Sequence, residues 1–552
     1  MKNLKYIFFL IFIIGTTIIS SCSDDEDSLG TADRLFRPIV SESSVGGTWI
    51  RINWSRYTGV KSFKLEISTD SFATIDSITV DTISYTFENL NYSTVYQIRL
   101  KCIGETQESN YYVCKDYETS KLATDLTSPK SSDELDTQIK VNWNSDCDYD
   151  SLVVYKEKKY VASAHIGSYP ITATDFKNGY KIFKNLDTNT LYYVIAYKNG
   201  AYVGENKYTT CAPQIFSGYI CDLRNLDDED SYTALNQTLA DSIYNLATIA
   251  GYEKVTFILS GGTHYQLSGF LFNMSTTIVT GLSFSGTATL DVSGNFDVAA
   301  DATIGTICLK DINLSDHTSK PKSASNFGGT YVFNLSNSGV SIDSLNLESC
   351  NIQYKRGLIR MKSQQTIKNV VVNDCIIDSI GNYGLVNNAN DKARIEDITV
   401  TNSTISNCEK MFTCGKALGI NSISIANCTF CYAPDKSGNY ILDYSGNSLT
   451  AITIKNSIFG PGKTLSGDIV SVNGFRCNSG YQMTADKSYC TSDLSWTNTE
   501  VTINGSAVSG PLDLETLSSP ASSVFTDPDN GDFTVNDATL KEQSIGDPRW
   551  LE

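Results

Sequence analysis

The stretch YKRGLIRMKS, Tyr354 to Ser363, places four cations close together: Lys355, Arg356, Arg360 and Lys362. A Lys or Arg of raised basic strength could remove the proton α to a uronate carboxylate, provided another charge neutralises that carboxylate. A calcium ion held by acids would supply the charge. Asp374, Asp378 and Asp391 follow within the next two repeats, with Lys392 and Arg394 beside the last. One reading is therefore β-elimination on an acidic polysaccharide. Its basic set is Lys355, Arg356, Arg360, Lys362 and Arg394, and its calcium set is Asp374, Asp378 and Asp391. The plainer reading is that these cations dress the solvent face of an acidic protein.

A different set suits binding without chemistry. Tyr354, Tyr383, Phe412, Tyr432, Tyr440 and Tyr444 fall at loop or turn positions. Their ring faces could stack on sugars while Arg356 and Arg360 meet carboxylates. Burial of any one ring in the core is an equal alternative. Hydrolysis by clustered Asp has less support. The G-H-G and R-I-K signatures of polygalacturonase-type hydrolases are absent, and His165, His264 and His317 lie outside any carboxylate cluster.

These residues need elements to hold them, and the sequence repeats one such element. ICLKDINL begins at Ile307, LNLESCNI at Leu345, VVVNDCII at Val370, ITVTNSTI at Ile398, ISIANCTF at Ile423 and ITIKNSIF at Ile452. The starts are 38, 25, 28, 25 and 29 residues apart. Such a period fits one turn of a parallel β-helix. The first, third and last residues of each repeat are apolar and point inward by period-two alternation. Stacked turns would form two columns. Asp311, Ser349, Asp374, Asn402, Asn427 and Asn456 make a turn ladder bonded through side-chain amides. Cys350, Cys375, Ser403, Cys428 and Ser457 make a column of small packed residues rather than a metal site.

Upstream, alternating strands occur twice. Trp54 and Trp143 sit in apolar strands, and Leu90, Thr94 and Tyr96 recur 96 residues later as Leu186, Thr190 and Tyr192. The spacing resembles the L-x-x-x-T-x-Y corner of fibronectin type III domains. That resemblance implies a corner Tyr with a buried ring and a hydroxyl bonded to backbone. Two modules are expected, over 34–120 and 125–212, acting as spacers or as an aromatic glycan platform. Next, Leu235, Leu239, Ile243 and Leu246 recur at helical spacing. This helix, then an apolar strand, Gly-Gly and Tyr, resembles the entry of pectate-lyase-like β-helices, where a helix covers the open end of the coil. The coil with its C-terminal cap is expected over 215–552. The fold class is all-β: two tandem sandwiches, then a single-stranded right-handed parallel β-helix with an N-terminal capping helix.

The ends address localisation. Lys2 and Lys5, an apolar run and ISSC read as a secretory signal over 1–21. ISSC resembles the bacterial lipobox, which implies a lipidated Cys22. The acidic linker over 22–33 resembles the surface-export signal of outer-membrane lipoproteins in glycan-degrading bacteria. The formal net charge is −18, near −20 without the signal, which argues against nucleic acid as a partner. Cys102 and Cys114 could pair across one hairpin, and Cys428 with Cys431 is a lone C-x-x-C; the other thiols read as small buried hydrophobes.

Near the C-terminus, Phe525, Asp527, Pro528, Asp532, Phe533, Gly546, Asp547, Pro548, Arg549 and Trp550 resemble the tail of an uncharacterised family of outer-membrane lipoproteins. Members combine fibronectin-like modules with a pectate-lyase-like coil and are associated with glycan use, often of pectin. The resemblance implies a lipid-anchored protein facing the cell exterior. It would bind or present polysaccharide to an outer-membrane import complex. A calcium-dependent lyase and a structural or adhesive stalk are the alternatives.

Overall fold

The computed structural model describes residues 35–144, 147–224, 233–315, 329–414, 418–479, 482–504 and 507–552. The signal segment, Cys22, the acidic linker and His317 lie outside the described residues. Two compact units form. One runs to Thr124 and includes Val203–Glu205; the other holds the second sandwich and the coil.

In the first sandwich, strands Val40–Val45, Ile50–Trp54 and Ser84–Phe87 make one sheet. Asp76–Val80, Ser62–Ser68, Val95–Ile103 and Tyr112–Val113 make the other, in that spatial order. Inward alternation buries Ile50, Ile52, Trp54, Phe63, Leu65, Ile98 and Leu100 between them. The corner forms as the spacing implies: Tyr96 is buried and its hydroxyl accepts from Asn91 N at 3.0 Å. The second sandwich repeats this, with Tyr192 Oη accepting from Asp187 N at 2.8 Å and Trp143 in the core. Its sheets are Ile139–Asn142 with Tyr180–Phe183, and His165–Pro170, Ser151–Lys156, Leu191–Lys198 and Ala201–Thr209. These are fibronectin III-like sandwiches by strand order. Cys102 and Cys114 are not bridged, and all fourteen described cysteines are free thiols.

The coil is a parallel β-helix of three sheets. In its first sheet Ile307, Leu345, Val370, Ile398, Ile423 and Ile452 stand side by side, in the register that the repeat implies. The sheet extends upstream through Thr276 and Val255 and downstream to Met483. The repeat's apolar positions are buried, each fully buried Ile, Leu or Val contributing about 1.5–3 kcal/mol. The second sheet stacks Leu314, Ile352, Ile377, Ile405, Phe430 and Phe459. The third stacks Phe333, Ile359, Val386, Phe412, Leu442 and Phe475.

Both columns exist. Asp311, Ser349, Asp374, Asn402, Asn427 and Asn456 all hold left-handed backbone, with φ between 46° and 55°. This is a conformation in which Asn and Asp are enriched. Asn427 Nδ2 donates to Asn402 Oδ1 at 3.0 Å, and Asn456 Nδ2 to Asn427 Oδ1 at 3.1 Å. The adjacent Cys350, Cys375, Ser403, Cys428 and Ser457 are buried, and the Ser403 and Ser457 hydroxyls accept from the backbone of the preceding rung.

Two details differ from the sequence expectation. The capping helix, Gln237–Ile249, turns Ala240, Tyr244 and Ala247 into the core and leaves Leu246 43% exposed. Tyr244 wins because its ring packs on Phe257 while its hydroxyl reaches Thr276 Oγ1 at 3.0 Å. The C-terminal tail runs along the side of the coil instead of covering its end. Phe525, Phe533, Val535, Leu540 and Ile545 pack on Cys431, Tyr432 and Ile458. Beyond them, Arg549 donates to Asp374 at 2.6 Å, Asp547 accepts from Thr404 at 2.7 Å, and Trp550 Nε1 donates to Thr404 at 2.7 Å.

Candidate functional site

The outer face of the third sheet gathers the most unusual side chains. Each of its strands carries a short pattern, apolar–polar–apolar in most, and period two points the middle residue outward. The outward row reads Asn334, Arg360, Asn387, Thr413, Asp443 and Arg476, each in register with the next. Rungs lie about 4.8 Å apart.

Beside this row, Tyr331 and Tyr383 meet edge to face, with ring centroids 5.4 Å apart. Arg360 lies over the Tyr383 ring at 4.2 Å and donates to Tyr331 Oη at 3.0 Å. Arg356 lies over the same ring at 4.7 Å and reaches Asn382 Oδ1 at 3.4 Å. Gly357 permits this: a Cβ there would come within 2.9 Å of Tyr383 Cβ and 3.1 Å of the Tyr331 ring. Burial raises the Tyr331 phenol, and the two guanidiniums offset part of that rise. Further along, Arg476 grips Asp443 through Nε at 2.6 Å and Nη2 at 2.8 Å, and lies 4.3 Å over Tyr440.

Three atoms of the row are buried with no hydrogen-bond partner among the described residues: Asn334 Oδ1, Arg360 Nε and Asn387 Oδ1. An unsatisfied buried polar atom costs about 1–3 kcal/mol. Here a donor stands between two acceptors on consecutive rungs. A hydroxyl-rich chain laid along the face could serve all three, since a hydroxyl both donates and accepts.

Of the expected binding residues, Tyr383 and Tyr440 lie on this face. Phe412 and Tyr444 do not: both point into the coil and are 1% and 2% exposed, because their parity along the strand is inward. Tyr432 is 5% exposed, tucked under the tail with its hydroxyl on Asp529 at 2.6 Å. Tyr354 is half-buried in left-handed backbone before the corner.

The basic and calcium sets are not assembled. Lys355 is fully buried and donates to Ser315 O at 2.8 Å. Arg356 and Arg360 lie on the third sheet, Lys362 at the corner after it, and Arg394 on the first sheet beside Asn421. Asp374 is a turn residue paired with Arg549, Asp378 accepts from Ser379, Ser406 and Asn407 at 2.7 Å each, and Asp391 is exposed. Among the described residues no group of three acids, His or Cys is placed to hold a metal. Asp374 sits at the corner before the second sheet, Asp378 lies on that sheet in register with Gln353 and Ser406, and Asp391 sits at the corner after the third sheet, so stacking cannot bring them together.

Tyr331, Asn334, Asn387, Asp443 and Arg476 had no place in the sequence expectation, nor did Asp435. Asp435 is 6% exposed at a corner, hydrogen-bonded through its N to Cys408 O. Burial pushes its carboxyl up to about 7, nearby Glu409 adds to the rise, and Lys436 opposes it.

Residues 263–408 match the family model described as domain of unknown function DUF4957, and residues 423–550 match that described as domain of unknown function DUF5123. No curated protein matches the chain. Among solved structures, a two fibronectin type-III domain segment from chicken tenascin is similar at 17% identity, over 31% of this chain and 97% of that one, with a TM-score of 0.16. The FN1–FN3 domains of chicken CNTN1 are similar at 15% identity, over 32% and 66% of the two chains, with a TM-score of 0.14.

Proposed function

We propose that this chain binds extracellular polysaccharide along the outer face of the coil's third sheet. It would do so as a lipoprotein anchored through Cys22 in the outer membrane, facing outward, and would present the polymer to a neighbouring import complex. The observation that supports binding is the row Asn334, Arg360 and Asn387, whose buried donor and acceptors have no partner among the described residues. Tyr383 and Tyr440 flank it with ring faces, Tyr331 buttresses Tyr383 from below, and Arg356 and Arg360 supply charge for uronate carboxylates. Pectic polymers are the first class to try.

The test uses the soluble chain after the acidic linker, with polygalacturonate in an affinity gel and calcium present. The same mixtures are followed in the ultraviolet for the unsaturated product of β-elimination. Retardation that Arg360→Ala and Tyr383→Ala both weaken, with flat absorbance, supports the proposal. Retardation that neither variant changes refutes the assignment to this face. Rising absorbance that Arg360→Ala abolishes replaces binding with lyase chemistry.

A further inference from the structure

A second aromatic surface stands on the second sandwich, far in sequence from the coil face. Tyr155 is directly opposite Tyr193 on one neighbouring strand and His165 on the other. The His165 ring lies 5.4 Å from that of Tyr155, and Tyr160, from the hairpin loop, lies 5.9 Å from it. Lys159 Nζ sits 5.3 Å from the Tyr193 ring and 5.9 Å from Tyr160, and Lys207 Nζ sits 5.6 Å from Tyr193. Four rings therefore form one patch across three adjacent strands with two ammonium groups over it.

The loop that presents Tyr160 is strained. Glu157 and Tyr160 both hold left-handed backbone, with φ of 59° and 61°. A bulky residue rarely adopts this conformation, and such strain concentrates at ligand clamps. Tyr160 is 39% exposed, and the loop sequence Glu157, Lys158 and Lys159 is net positive. On a chain whose formal charge is −18, a ring patch crowned by lysines is locally inverted.

We infer that this face of the second sandwich is a second binding site, for the carboxylate-bearing segments of an acidic polysaccharide. Tyrosine rings stack on the sugar faces, and Lys159 and Lys207 meet the carboxylates. The inference rests on the reading of the coil face as a polysaccharide site, because the two sites would act on one polymer. Their joint effect is avidity: a long chain held at the coil reaches the second site at high effective concentration, whereas a trimer binds each site singly.

The experiment uses the soluble chain with polygalacturonate, trigalacturonate and neutral dextran, by titration calorimetry at low and high salt. Three variants are compared: Tyr155→Ala/Tyr193→Ala, Lys159→Gln/Lys207→Gln, and Arg360→Gln on the coil. The lysine pair removes charge without touching the rings, so it stays informative if the tyrosine pair misfolds. Polymer affinity is expected to fall roughly tenfold or more in both sandwich variants. Trimer binding at the coil site, which Arg360→Gln removes, should survive in them. Unchanged polymer affinity in the lysine variant overturns the inference, as does dextran binding as tightly as polygalacturonate. If Arg360→Gln is silent while the sandwich variants lose the polymer, the coil reading fails and this one stands. If the native chain holds no polymer at all, both fail.

Discussion

Asp435→Asn is expected to raise stability at high pH and leave it unchanged at low pH. The native carboxyl is lifted from its ordinary value near 3.8 to about 7, first by burial and then by Glu409. Between those values the folded chain holds a proton that the unfolded chain has released. Stability therefore falls as pH rises from about 4 through 7, and is constant outside that window. About three pH units at about 1.4 kcal/mol each set a ceiling near 4 kcal/mol. Lys436 is already counted in that value, and solvent screening at the corner brings the expectation to about 2 kcal/mol. Asparagine copies the shape of the protonated acid, so the variant does not carry this slope. The assay is urea denaturation of both chains at pH 5 and pH 9, taking the difference so that other carboxyls cancel. Equal stabilities at pH 9, or a variant weaker at both pH values, would show that Asp435 titrates as an ordinary acid and refute the reasoning.

Other substitutions probe the frame. Gly357→Ala should push the Tyr331–Tyr383 pair apart, costing about 1–3 kcal/mol and lowering polymer affinity in the gel. Asn427→Ala should cost about 2 kcal/mol in denaturation, since it loses ladder bonds on both sides and places Ala in left-handed backbone. Arg224 joins Asp222 of the coil to Asp136 of the second sandwich, which is 1% exposed on its side chain. Arg224→Ala should therefore leave a buried carboxylate alone, cost about 3 kcal/mol, and open the 213–218 connection to limited proteolysis. Arg549→Ala should free the last residues of the tail to carboxypeptidase while leaving far-ultraviolet dichroism unchanged.

The repeat was legible because the corner after the first strand of each rung forces a residue into left-handed backbone and the strand's residues alternate inward. The Asn column and the Ile, Leu and Val positions could thus be placed by counting. The corner tyrosines of the sandwiches were legible for a similar reason: one hydroxyl must meet one backbone amide. The binding face was read only in part. Its strands also carry a period, visible as Phe333-Asn334-Leu335, Ile359-Arg360-Met361 and Leu442-Asp443-Tyr444. Corners of unequal length separate them from the first strand, which blurs the spacing. Parity within those triplets would have sent Tyr444 and Phe412 inward and Asp443 outward. The meeting of Tyr331 with Tyr383 was not legible, because it depends on Gly357 between them and on a register shift at the corner. Asp435 was invisible for a different reason: its proton affinity is set by burial and by Glu409, 26 residues away in sequence.

A stack of rungs, each touching only the next, is a one-dimensional object that can fray from an end one turn at a time. The tail changes that. Arg549 reaches Asp374 across 175 residues, while neighbouring rungs are bridged across about 25 to 30. Between the two ends of that link lie the rungs of Asn402, Asn427 and Asn456, with the tail bonded to Thr404, Thr429 and Asn456 on the way. Those rungs cannot peel away singly while the tail is seated, so they gain the cooperativity of a globular domain. A chain pulled from its C-terminus is thus expected to yield in one large step for this region, with smaller steps left to the rungs upstream.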